Sequence, residues 1–151
     1  MTTEKPKSKK GLSQNRRKSR ELALKALYRN LLNEGSVRQL MQEMADDPDF
    51  NKADDTYTRG LVDGVTEKKH DIDQAISKHI DRPLAELSPV EYAILCISTY
   101  ELVFDMSIPY RVAINEGVEL AKRYGGIDGH KYVNGVLDKI ASEARPREIK
   151  R

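Results

Sequence analysis

Arg16, Arg17, Lys18 and Arg20 crowd into five residues directly ahead of the helical run ELALKALYRNLL. A helix start exposes unpaired N–H groups and the positive end of the macrodipole, so cations there work against helix stability. On a helix, however, Arg20 lies about one turn from both Arg16 and Arg17, and their guanidinium groups can close together on one phosphate backbone. The pattern reads as an electrostatic clamp for a polyanion. The structural alternative is that Arg17 pairs with Glu21 one turn on, which leaves the other cations without acidic neighbours in sequence.

A second cluster lies far away. The stretch KRYGGIDGHKYVNG interleaves Lys122, Arg123, His130 and Lys131 with Tyr124 and Tyr132 around a glycine-rich turn. Single-stranded RNA suits such a mixture, since splayed bases stack on flat rings while cations hold phosphates. Equally open is a structural reading in which both tyrosines close a helix–helix corner in the core and Asp128 is the N-cap of the last helix.

Signs of catalysis are absent. His70, His79 and His130 have neither a His-x-x-x-His nor a Cys-x-x-Cys spacing, and no nucleophile, base and orienting group can be assembled. Glycines 125, 126 and 129 precede a helix without a strand before them or a Gly-Lys-Ser/Thr after them, so neither dinucleotide nor P-loop chemistry is indicated. Asp47, Asp49 and Asn51 begin like a calcium loop, but Lys52 and Thr58 stand where glycine and a bidentate glutamate are required. No enzyme, cofactor or metal is expected. The lone Cys96, within AILCIST, is expected to pack in the core.

The elements that must position the two clusters follow from periodicity. Residues 1–20 hold eight Lys or Arg and one Glu, which leaves the other 131 residues at net −5 in a chain of net +2. Residues 1–12 offer almost no apolar surface and are expected to be a disordered basic arm. Leu24, Leu27 and Leu31 mark a first helix to about Asn33. A second helix follows, with Ser36 as its cap and Val37, Leu40, Met41 and Met44 on one side. Tyr57, Leu61, Val65, Ile72, Ile76 and Ile80 continue one long helical pattern that Pro83 breaks. Gly60 and Gly64 are spaced for a close helix contact. In LSPVEY, Ser88, Pro89 and Glu91 form a capping box, with Leu87 and Tyr92 as its staple, and open a nearly all-apolar helix that should be central to its lobe. Two further helices start at Pro109 and after Asp128.

The expected fold is all-α. About six to seven helices form two small bundles within residues 13–144, roughly 13–80 and 84–144, with a basic tail over 145–151. No run is long and apolar enough for a membrane span and no secretory signal is readable, so a cytoplasmic protein is expected.

At this level the sequence is no longer generic. RRKSRELALKALY, DRPLAELSPVEYAIL, YEL, IPYRVAINEGVELAKRYG and HKYVNGVLDKI occur in this order and strongly resemble the NusB family of bacterial transcription antitermination factors over about residues 14–142. The resemblance implies two helical subdomains without catalysis or cofactor. It also implies binding of boxA RNA together with NusE, a small-subunit ribosomal protein, in the RNA polymerase antitermination complex, including on ribosomal RNA operons. By motif, Arg16, Arg17 and Arg20, with Lys18 among them, match the RNA-contacting start. Tyr124, Asp128, Lys131 and Tyr132 match a later RNA-facing segment, and Tyr28 and Glu91 match positions facing NusE. The family commonly has phenylalanine at 124 and 132 and an acidic residue at 85, where this chain has Ala85. A NusB-like domain is also found fused to RNA cytosine methyltransferases, and the methyltransferase reading is not expected for this chain. A homodimer is left open, as are two plainer readings: a nonspecific polyanion or anionic-membrane binder, and a self-associating bundle.

Overall fold

In the computed structural model, residues 9–33, 37–48, 50 and 53–150 are described, so residues 1–8 of the expected arm and the Ser36 cap lie outside the described residues. Among them are eight α-helices: α1 Lys9–Asn33, α2 Val37–Ala45, α3 Asp55–Glu67, α4 Lys69–Ser77, α5 Pro89–Phe104, α6 Tyr110–Tyr124, α7 Gly129–Ala144 and α8 Pro146–Ile149. A 3₁₀ turn, Leu84–Glu86, precedes α5. The fold is all-α, as expected, and α1 opens four residues before the expected Ser13 boundary.

Two differences from the periodicity reading have local causes. The long pattern over 57–80 is two helices, because the backbone at Lys68 leaves the helical region (φ −98°, ψ 16°) while its N–H still bonds to Gly64 O. The bend leaves Leu61 and Val65 of α3 and Ile72 and Ile76 of α4 all buried. The expected basic tail is not a solvated one at its start. Arg145 is buried, and its guanidinium donates to the carbonyls of Glu101, Leu102, Asp105 and Ile108 at 2.8–3.0 Å. They lie at the α5 C-terminus and in the turn after it; Glu101 O and Asp105 O also accept from the Asp105 and Ile108 N–H groups, and the same side chain supplies donors to the Leu102 and Ile108 carbonyls as well.

The N-terminus of α5 forms where the cap residues direct it. Ser88 Oγ accepts from the Glu91 N–H at 3.1 Å, and Pro89 sits in the first turn. From Ala93 to Thr99 every residue is buried, so α5 has no polar face to show. It packs against α1, α3, α4, α6 and α7, and the buried apolar residues of both halves of the chain form one continuous core around it. Gly64 lets α3 approach α5, since Tyr100 occupies the place a side chain would need.

One residue breaks the apolar pattern of α5. Glu101 has 0% exposure, and Arg20 of α1, at 3%, places Nε 3.0 Å and Nη2 2.9 Å from Glu101 Oε2. The Tyr57 hydroxyl donates to the same carboxylate. Burial raises the Glu101 pKa above the ordinary carboxylate value, and the Arg20 charge opposes that shift. Arg20 therefore fixes the rotation of α1 about its axis. At the far junction, the Ser19 hydroxyl joins the Asp54 backbone at 3.0 Å, and Asp54 caps α3 by accepting from Tyr57 N–H.

Cys96 is buried in this core, as expected, and burial pushes its thiol pKa up to about 12. The thiolate population at pH 8 is then negligible, so an aromatic disulfide reagent should leave Cys96 unmodified in the native protein and react promptly in urea. Fast native labelling would contradict this packing. Arg20→Ala leaves the Glu101 charge buried and alone, and should lower the unfolding free energy by about 3–5 kcal/mol in urea titrations. The double change Arg20→Met with Glu101→Leu should recover most of that loss; a single variant as stable as the parent would refute the role given to the pair.

Candidate RNA-binding surface

The basic stretch Arg16–Arg20, inside the first half of α1, is not an isolated run of cations. Arg17 directs Nε and Nη2 at Glu116 of α6, 3.0 and 3.2 Å away, and this fork uses only part of its five-donor guanidinium. Glu116 is buried and Arg17 is more than half exposed. The sequence alternative for Arg17 therefore had the right kind of partner in the wrong place. Glu21 is instead taken by Lys18 at 3.3 Å and by Arg123 of α6 at 2.5 Å. Arg16 has no carboxylate within ion-pair distance among the described residues, and its guanidinium lies 4.7 Å from the Tyr57 ring centroid. Arg20 is a correction to the expected clamp. Its guanidinium is spent on Glu101 and Tyr57 inside the protein, so it positions the exposed cations rather than joining them.

The second cluster forms the corner between α6 and α7. Lys122 and Arg123 occupy the last turn of α6, where cations favour the helix C-terminus. The chain then runs through Gly125 and Gly126 to Asp128, whose φ of 64° is the left-handed conformation that Asp tolerates better than most residues. Asp128 occupies the N-cap position of α7, but its side chain makes no capping bond; the carboxylate lies 3.4 Å from Lys131 Nζ. Ile127 at the tip is 99% exposed.

Both alternatives for the tyrosines hold in part. Tyr124 and Tyr132 are half-buried against the core. Each also carries a guanidinium over its ring: Arg123 at 5.5 Å from the Tyr124 centroid and Arg82 at 4.9 Å from that of Tyr132. The Tyr132 hydroxyl is 3.4 Å from Asp81, and the Arg82 guanidinium holds the Asp81 carboxyl below its usual range. Arg82 and Asp81 escaped the sequence reading because they sit in the DRPLAEL connection; the only signal was a charged pair placed immediately before a proline. Tyr28 is half-buried on α1. Glu91 is half-buried in the first turn of α5 and turns its carboxylate onto Gly129, where it occupies the place a side chain would need.

The decisive contact joins the two clusters. Through Glu21, 102 residues away in sequence, Arg123 at the end of α6 is tied to Lys18 in the first half of α1. Cations, aromatic rings and an acidic acceptor thus belong to one connected surface. Arg17, Lys18 and Arg123 are held by the buried carboxylates of Glu116 and Glu21, so these three do not depend on a ligand to keep their positions. Among the described residues, no group of three or more His, Cys, Asp or Glu stands ready to hold a metal ion. Nor is any described helix long and apolar enough to cross a membrane.

Comparison with known proteins is consistent with this architecture. The NusB family model matches residues 17–142. The transcription antitermination protein NusB of Methylobacillus flagellatus is 59% identical over 97% of this chain and 94% of its own length. That of Nitrosomonas europaea is 49% identical over 93% of this chain and 84% of its own. Among solved structures, T. maritima NusB superposes with a TM-score of 0.78 at 33% identity, covering 89% of this chain and 96% of that one. A crystal structure of antitermination factors NusB and NusE in complex with dsRNA gives 0.72 at 29% identity, covering 84% and 96%. The named relatives are transcription antitermination proteins and not enzymes. With matching fold, sequence and length, the chain belongs to the NusB family.

Proposed function

We propose that this protein is an RNA-binding transcription antitermination factor. It binds single-stranded boxA-type RNA together with NusE in the cytoplasm and supports processive transcription by RNA polymerase, ribosomal RNA operons included. The observation that carries the reading is the link through Glu21, which makes the α1 cations and the α6–α7 corner one surface. The solved assembly of related NusB and NusE proteins with dsRNA supports RNA binding together with NusE.

In this mechanism Arg16, Arg17 and Lys18 neutralise phosphates at the start of the path, and Lys131 does so at its far end. Tyr124 and Tyr132 present ring surface to unpaired bases, with Arg123 and Arg82 extending the flat platform. Asp128, exposed on the turn, accepts from a base amine. Tyr28 and Glu91 face NusE. Because Glu91 also leans on Gly129 at the start of α7, the protein partner and the RNA-facing turn meet around one side chain.

The test is fluorescence anisotropy of a boxA-type RNA against a scrambled RNA of equal length, at two salt concentrations, with and without NusE. Preference for boxA that NusE strengthens is the expected result; equal, salt-labile binding to both RNAs would leave only a nonspecific polyanion binder. Lys18→Ala and Lys131→Ala are the appropriate phosphate variants, since neither uncovers a buried unpaired charge as Arg17→Ala would at Glu116. Each should weaken binding to all RNAs alike and reduce the salt slope by about one, with unchanged helicity by circular dichroism. Tyr28→Ala and Glu91→Lys should each reduce NusE capture about tenfold, equivalent to about 1.4 kcal/mol. Wild-type capture by both variants would remove these residues from the interface.

A further inference from the structure

The spacing of Gly60 and Gly64 on α3 suggested one close helix contact, but the structure accounts for only one of the two. Gly64 makes room for Tyr100, whereas a Cβ built on Gly60 meets nothing within 4 Å. Gly60 lines a cavity of about 200 Å³ between the first half of α1, the start of α3 and the end of α5, walled by Arg16, Asp54, Tyr57, Tyr100 and Asp105.

The polar groups of this cavity are incompletely used. Arg16 lies over the Tyr57 ring, and its buried Nε has no hydrogen-bond partner. Asp54 spends Oδ1 on the Tyr57 N–H, and Asp105 spends Oδ1 on Ser107. The second oxygen of each carboxylate has no donor among the described residues. Two carboxylates reject a bare anion, and the guanidinium rejects a bare cation. A neutral, flat molecule with an amine on one edge and acceptors beside it satisfies all three groups, and the tyrosine walls suit a flat ring. The volume is below the roughly 300–1,000 Å³ of sites for drug-sized ligands, which points to a single ring system. Arg16 is also the neighbour of Arg17 and Lys18 on the phosphate-binding stretch.

We infer that this cavity receives one unpaired RNA base that carries an exocyclic amine: cytosine, adenine or guanine rather than uracil. Asp54 and Asp105 accept from the amine, and Arg16 donates to an acceptor on the same base. The inference rests on the RNA-binding reading above. It adds a specificity pocket on α1, α3 and α5 that is separate from the α6–α7 corner.

A Cβ at the exposed Gly60 meets nothing within 4 Å, so Gly60→Leu is chosen to add bulk at the cavity wall. Its binding to a boxA-type RNA is compared with that of the wild type in a scan that replaces each amine-bearing base in turn by uracil. The wild type should lose about tenfold at one position. Gly60→Leu should lose about tenfold on the parent RNA and be insensitive at that position. Asp54→Asn keeps the helix cap, because Asn caps as well as Asp, while offering an N–H₂ donor; it should shift the preference at that position toward uracil. If the wild type binds no RNA, the RNA reading itself fails. If the wild type binds but both variants reproduce its scan, the cavity is not a base pocket and the RNA reading stands. Loss of NusE capture by Gly60→Leu with an unchanged RNA scan would assign the cavity to the protein partner and overturn the proposal.

Discussion

A carboxylate in the middle of a buried helix cannot be left without a counter-charge, and the arrangement of this protein follows from how Glu101 is answered. The cation comes from α1, so α1 must lie along α5 with Arg20 turned inward. Once that rotation is set, the neighbouring residues have little choice. Arg17, three positions earlier, falls beside Glu116, and Arg16, four positions earlier, comes to rest on Tyr57. Hydrophobic burial supplies most of the driving force for this core but is nondirectional. The ion pair is what selects one rotation of α1 among those that would bury a similar amount of leucine.

The cations do not meet the penalty of a helix start, because α1 opens at Lys9 and Arg16 lies seven residues further on, beyond the first turn where the macrodipole acts. Their mutual repulsion is offset by Glu101, Glu116 and Glu21, two of which lie on other helices. Phosphates are thus not required for the basic segment to exist as structure. A surface prepared in this way has already lost much of the side-chain freedom that a flexible basic arm would lose on binding. Positions, rather than charge alone, then distinguish one RNA from another.

What was legible in the sequence was whatever is encoded locally. The Ser88–Pro89 start of α5, the Lys122–Arg123 end of α6 and the burial of Val133, Leu137 and Ile140 on α7 are set by caps, dipole and spacing, and all were readable. The pairs that organise the site were not, because Arg20–Glu101, Arg17–Glu116 and Glu21–Arg123 span 81, 99 and 102 residues. Periodicity carries no record of such partners. It also gave no sign that helix geometry lapses at Lys68, since the apolar spacing continues across the break. A better clue lay in YEL itself. A glutamate between Tyr100 and Leu102 in an otherwise apolar helix announces a buried charge, and the nearest surplus of unpaired arginines identifies where its partner must come from.

Glu101 is held in two ways at once: its side chain takes Arg20 of the first helix, while its backbone carbonyl takes Arg145 from the segment after α7. Mechanically, the two ends of the described chain are clamped to the same peptide unit. A load applied between α1 and α8 does not peel away a terminal helix and leave the remainder intact. It converges on one turn of α5, and the ends let go together.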